Sequence, residues 1–335
     1  LTLKHIVTTN ISMTVPTSKQ LSDDVKGYLG TERIEGMESS KVLILGGSGM
    51  LGHKLFLHLS KQVNLEVFTT VRSNDFAKFI PKSLLSSVVY GVDAGNFLKI
   101  VEVLDSIKPQ VVINCIGIVK QSSVADNALL NISINALLPH LIAQACVERS
   151  IRFIHISTDC VFAGTKGDYS EDDVSDTVDL YGRTKLLGEV DYPHTLTLRT
   201  SIIGHELQTK QGLVEWFLAQ TERVQGYCRH IFSGLPTVEL ANLLADYIIP
   251  NTSLSGVYHL SSQPISKYEL LNLIARQYRK SIVIEPYYDT FCDRSLNSQR
   301  LRSLINYSAP SWSDMVAAMH QDYLDSPYYQ HWEAL

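Results

Sequence analysis

The stretch KVLILGGSGMLGHKLFLHL, residues 41 to 59, leaves few folds open to this chain. A run of aliphatic residues from Val42 to Leu45 passes directly into glycines at 46, 49 and 52, and then into a segment whose Leu51, Leu55 and Leu59 share one helical stripe. Strand, tight turn and helix in that order open a βαβ unit. Gly46 permits the turn, Gly49 lets the backbone approach a diphosphate, and Gly52 lets helix and strand pack closely, with the helix N-terminus facing the anion. The context predicts a dinucleotide site, with Ser48, Met50 and Leu51 completing the turn around the phosphates.

The alternation of strand and helix repeats along the chain. Strands are expected at 41–45, 65–71, 87–90, 111–114, 151–156 and 195–199, with helices at 50–60, 96–107, 128–149 and 181–190 between them. Crossovers of this length make a parallel sheet covered by helices on both faces. Beyond residue 200 the pattern loosens into helices near 212–221, 237–249, 266–279 and 313–322 and short strands near 257–260 and 282–284. The fold class is therefore α/β, a doubly wound parallel sheet of Rossmann type with a smaller, mainly helical C-terminal region. The expected division is a dinucleotide-binding domain over 37–200 and a substrate-binding region over 201–335, packed as one body with some sheet returning to the first domain. Residues 1–36 carry no sustained period and read as a variable extension, with the fold starting near Met37.

Composition removes several alternatives. Lys and Arg number 29 against 34 Asp and Glu, a net charge of −5, so no basic excess is available to hold a nucleic-acid backbone. The apolar runs are far shorter than the roughly 18 to 20 residues that span a bilayer. Five dispersed cysteines without a CxxC pair suggest neither a disulfide framework nor a zinc site. No secretory leader pattern precedes the first strand, so a cytoplasmic protein without bound metal is expected.

The end of the second strand discriminates between the two nicotinamide dinucleotides. An acid there takes a ribose 2′-hydroxyl, whereas an arginine accommodates a 2′-phosphate. The sequence VFTTVRSND puts Arg72 and Ser73 in that place and the nearest acid, Asp75, a few residues late, so NADPH is expected, with NADH the alternative. Asp93, after the next apolar run, suits either an adenine contact or a turn.

The fifth strand ends in ISTDCVFAG, and YGRTKLLGE follows 23 residues after Thr158. Tyr181 and Lys185 stand at i and i+4, on one helical face about a turn apart. An ammonium beside a phenol favours the phenolate, and Thr158 can hydrogen-bond and polarise a carbonyl oxygen, so proton exchange with an alcohol or ketone is the chemistry this set suits. His155, within the strand, reads as a satisfied core histidine. His205 reads as a loop residue near the site.

The ordered motifs GGSGMLG, NCIG at 114–117, INA at 134–136, STDCVFAG, YGRTKLLGE, LRTSIIG at 198–204, GLPT at 234–237, GVYHLSS at 256–262 and DRSLNS at 293–298 resemble those of the extended short-chain dehydrogenase/reductases, and among them the dTDP-4-dehydrorhamnose reductase group. The resemblance covers about residues 41–325. It implies a nicotinamide cofactor, a nucleotide-linked 4-keto sugar as substrate, and Thr158, Tyr181 and Lys185 as the catalytic set. By the same resemblance Cys115, Ile116 and Gly117 line the cofactor, Arg294 meets the substrate diphosphate unless it simply pairs with Asp293, and Asn135 either aids a proton relay or is a solvated helix residue.

The chain departs from the group at Cys160, where a tyrosine is usual, and in the loop IVKQSSVAD at 118–126. Cys160 falls where GDP-fucose synthase-like epimerase/reductases carry an acid/base cysteine. The expectation here is a residue that lines the sugar pocket, with epimerisation the alternative. The fold also resembles the regulatory β subunit of methionine adenosyltransferase, a dinucleotide-binding partner protein. A homodimer is the assembly expected if the chain is not a monomer. No role is assigned to the aromatic tail SPYYQHW at 326–332.

Overall fold

The computed structural model of the chain describes residues 39–329. The expectations for residues 1–36, and for the tail beyond 329, lie outside them.

Seven parallel strands form one central sheet: β1 (Ser40–Leu45), β2 (Leu65–Thr70), β3 (Val88–Val89), β4 (Val111–Asn114), β5 (Arg152–Thr158), β6 (Thr195–Thr200) and β7 (Gly256–His259). Their spatial order is β7-β6-β5-β4-β1-β2-β3. The order reverses between β1 and β4, and the crevice at the carboxyl ends of these two strands is where a doubly wound sheet binds its ligand. Residues 42–45 of β1 and 111–113 of β4 are unbroken aliphatic runs because both sheet faces are covered.

Helices α1 (Met50–Leu59), α2 (Phe97–Ile107), α3 (Ala128–Val147) and α4 (Leu180–Leu187) occupy the crossovers as expected. On one face of the sheet Leu43, Leu45, Val112 and Phe153 pack against Ile100 and Leu104 of α2 and Ile142 and Cys146 of α3. On the other, Ile44, Ile113 and Leu198 belong to a larger core with Leu55 and Phe56 of α1 that continues into Leu240, Ile274 and Met315. α3 is long and apolar enough by composition to cross a membrane, yet 56% of it is buried within the fold.

Past β6 the sheet is joined by α5 (Leu213–Leu218), α6 (237–248), α7 (Lys267–Gln277), α8 (Gln299–Ile305) and α9 (Trp312–Asp325). The helix α7 starts with a capping box, Ser266 accepting from the Glu269 N–H and the Glu269 carboxylate accepting from the Ser266 N–H. Short strands add to the anticipated pair: Arg223–Tyr227 runs parallel to Val283–Tyr287, and His230–Phe232 pairs with Ile265–Ser266 and Cys292–Asp293. Strands of two or three residues leave no readable period, and neither they nor α8 are expected from the sequence.

The described part of the aromatic tail turns back onto the fold. The Tyr329 hydroxyl lies 3.0 Å from His53 Nε2 on α1, and its ring stacks on Tyr323 of α9 at a centroid separation of 6.2 Å. His205 belongs to this cluster, with Nδ1 2.6 Å from Glu215 Oε1 and Nε2 2.7 Å from the Tyr278 hydroxyl.

Candidate active site

The phosphate turn has the construction its glycines imply. Gly46 lies at φ +88, in the left-handed region that glycine alone adopts without strain, and a side chain there would press on the Cys115 and Ile116 backbone at 3.2 Å. Gly52 sits so close under the turn that a Cβ would come within 2.1 Å of the Gly46 carbonyl oxygen. α1 begins at Gly49 with no side-chain cap and no acid in its first turn, which leaves the positive end of the helix to an external anion. Ser48 is exposed at the turn, Met50 is half-buried, and Leu51 sends its side chain into the core. Cys115, Ile116 and Gly117 follow β4 and form the opposite wall, Ile116 N–H donating to Asn114 Oδ1 at 3.0 Å.

At the end of β2 the Arg72 side chain is exposed. Asp75 is engaged elsewhere, accepting from Lys78 Nζ at 2.6 Å and from the Ser73 hydroxyl at 3.1 Å. Asp93 Oδ1 accepts from Gly95 N–H at 2.7 Å.

Two close contacts set α4 against its neighbours. A Cβ on Gly182 would lie 2.2 Å from the Cys160 carbonyl oxygen, and one on Gly188 would lie 1.9 Å from that of Asn135. Asp179 caps the helix, accepting from Gly182 N–H at 2.8 Å. Tyr181 and Lys185 therefore stand beside the carboxyl end of β5. The Thr158 hydroxyl donates to Asp159 Oδ1 at 3.2 Å, and its Oγ1 accepts from Cys160 N–H at 3.1 Å. Burial pushes the phenol's pKa up, as does Cys160, while Thr158 works the other way.

Lys185 also meets groups on the sheet that its spacing does not predict. Its ammonium donates to the Ile156 carbonyl at 2.8 Å and lies 3.4 Å from His155 Nε2. Burial brings the Lys185 pKa down to about 8, against the pull of Glu189 and Cys115. The cation over the phenol ring is Lys120, 5.6 Å from its centroid and 2.7 Å from Asp179 Oδ2. Lys120 comes from the 118–126 loop, which only the fold brings here. His155 is the buried, satisfied core histidine expected, with Asn114 Nδ2 3.2 Å from its Nδ1.

Asn135 is buried, not solvated. It sits in a π-helical segment of α3, Ile132–Leu137, and clasps the backbone of Ile118 from both sides, accepting from its N–H at 2.8 Å and donating to its carbonyl at 2.9 Å. Cys160 is largely enclosed, and burial together with Asp159 pushes its thiol up to about 12. Arg294 donates to the carbonyls of Phe162 at 2.7 Å and Ala163 at 3.3 Å, within electrostatic reach of Cys160 and Asp179. Its suggested partner Asp293 accepts instead from Ser295, N–H at 2.9 Å and hydroxyl at 2.7 Å.

With this geometry the comparison with known proteins is direct, since the RmlD substrate binding domain family matches residues 40–324. The chain belongs to that family. Its relatives in the family include the dTDP-4-dehydrorhamnose reductase of Aggregatibacter actinomycetemcomitans, 26% identical over 242 residues, which are 69% of this chain and 76% of that protein. The probable low-salt glycan biosynthesis reductase Agl14 of Haloferax volcanii is 30% identical over 186 residues, 52% of this chain, and the match spans 61% of that protein's length. The methionine adenosyltransferase 2 subunit beta of Danio rerio is 25% identical over 250 residues, 70% of this chain and 73% of that one. Among solved structures, the dTDP-4-dehydrorhamnose reductase of Bacillus anthracis in complex with NADP superimposes with a TM-score of 0.69 at 21% identity, covering 85% of this chain and 98% of the other. The RmlD family thus shares with this chain a Rossmann-type sheet.

Proposed function

We propose that the protein is an NADPH-dependent oxidoreductase that reduces the 4-ketone of a nucleotide-linked 4-keto-6-deoxy sugar, in the supply of sugars for surface polysaccharide. The observation that carries this reading is the meeting of Thr158, Tyr181 and Lys185 at the carboxyl end of β5, across the sheet's switch point from an open, uncapped α1. The turn suits a dinucleotide: Gly46 and Gly52 let strand, turn and helix close on one another where any side chain would strike backbone, and Cys115, Ile116 and Gly117 form the facing wall. The RmlD relatives named as sugar reductases support the substrate class.

Bound NADPH supplies the hydride. Thr158 and Tyr181 hydrogen-bond the ketone oxygen, and as negative charge grows on that oxygen the Tyr181 hydroxyl donates its proton. A reductase needs this phenol protonated at rest, which burial secures. Below a pH of about 8 Lys185 is an ammonium, and its charge stabilises the phenolate that remains. Arg72 serves a 2′-phosphate, Asp93 the adenine side, and Arg294 the substrate diphosphate. Cys160 lines the sugar pocket; a thiol held protonated to about pH 12 is a poor base for removing a proton beside the ketone, which favours reduction without epimerisation.

Incubation with NADPH and a dTDP-4-keto-6-deoxy sugar in deuterated water tests both points by mass spectrometry. The expected product carries no deuterium on the carbons flanking C4. Deuterium there, lost again in Cys160→Ser, would establish an epimerase/reductase in its place.

A further inference from the structure

Behind Lys185 a buried row of three side chains crosses from β4 to α4: Asn114, His155 and Lys185 itself. The direction of each hydrogen bond in that row is set by one backbone group. Ile116 N–H can only donate, and it donates to the Asn114 side chain at 3.0 Å, so the oxygen of that amide is committed to it. The amide nitrogen, a donor, is then the atom 3.2 Å from His155 Nδ1. Nδ1 must accept. A neutral imidazole carries its one proton on the other nitrogen, and that nitrogen lies 3.4 Å from Lys185 Nζ.

We propose that His155 is a positioning residue for Lys185: Asn114 fixes the ring as its Nε2–H tautomer, and the ring presents that proton to the amine nitrogen of Lys185. An N–H aimed at the amine opposes the ammonium and favours the neutral amine, which can accept it. The surroundings leave His155 this part. Lys185 is faced by Cys115 after β4, by Glu189 beyond α4, by Tyr181 on its own helix, and by the Ile156 carbonyl and His155 on β5. Cys115 is enclosed, and its thiol is held neutral, pushed up to about 12. Glu189 is taken by Arg199, at 2.8 Å, and by the Ser157 hydroxyl, at 2.6 Å. The ring itself is faced by Lys185, by Asn114 and, from α3, by His140; burial and the lysine's charge both resist a second proton on it. The proposal rests on the role assigned to Lys185 above, but its geometry does not.

Long-range 15N–1H spectra of the histidine-labelled protein read the tautomer without substrate or turnover. The expected pattern for His155 is a protonated Nε2 and an unprotonated Nδ1 across the neutral range. The reverse pattern overturns the proposal, whatever the protein reduces. In Asn114→Asp one carboxylate oxygen keeps Ile116 and the other can accept from Nδ1, so the tautomer should switch to Nδ1–H; a ring that stays Nε2–H there also refutes it. A third measurement tracks the Lys185 Cε resonance with pH in His155→Leu. Its titration midpoint should rise by about one pH unit once the opposing N–H is gone, and an unchanged midpoint would mean that the ring only fills space.

Discussion

Tyr181 and Lys185 are legible as a pair because i, i+4 spacing survives translation into structure, but what each touches is not. Spacing on α4 says nothing about β5, so only the fold shows the Ile156 carbonyl and His155 beside the ammonium. With the phenol protonated by burial, Tyr181→Phe should lower turnover by about 10² to 10⁴-fold while leaving NADPH affinity within a few fold, as fluorescence titration would report. Turnover close to the parent's would assign the proton to another group. Lys185 gives the reaction its pH dependence. Its charge is present below a pH of about 8 and lost above it, so kcat/KM should fall on the alkaline side with a midpoint near that value. A profile flat to pH 10 would remove the ammonium from the mechanism. Arg72 is assigned to the 2′-phosphate by its position alone, and Asp75, the competing acid, is engaged with Lys78. Arg72→Ala should weaken NADPH binding by about tenfold, a loss of ~1.4 kcal/mol, and leave NADH binding unchanged; an equal effect on both would refute the assignment.

At the scale of elements, the strands through β6 other than β3 and the four helices between them are readable because each buries a continuous face, and a face several residues long leaves a period; the two-residue β3 is readable only from the apolar run VVYGV in which it lies. The two- and three-residue strands past β6 leave none. Nor does the π-helical turn at Asn135, although it decides how α3 meets both the 118–126 loop and α4. Gly188 is the point of contact. Gly188→Ala sets a methyl against the Asn135 carbonyl, with the backbone unable to yield as a flexible side chain could. The expected cost is about 1 to 3 kcal/mol of stability, read from chemical denaturation, with a loss of turnover larger than the loss of NADPH affinity because α4 carries Tyr181 and Lys185. Stability within a few tenths of a kcal/mol of the parent would show that α3 and α4 separate freely.

Across the whole molecule, the doubly wound parallel sheet is legible because strands and helices alternate at crossover length and the glycine turn opens the series. The aromatic tail is not, since its partners His53 and Tyr323 lie on separate helices, and only the fold reveals that Tyr329 closes over α1. Family membership leaves one question of scale: the relatives include proteins named as reductases and others named as a subunit of another enzyme. Catalysis is what separates them. NADPH deuterated at the transferable position of nicotinamide C4, mixed with the protein and a panel of nucleotide-linked 4-keto-6-deoxy sugars, should be consumed with at least one of them and leave its deuterium on the sugar's C4. NADPH that binds but survives every sugar in the panel would contradict the account and leave a dinucleotide-binding partner protein.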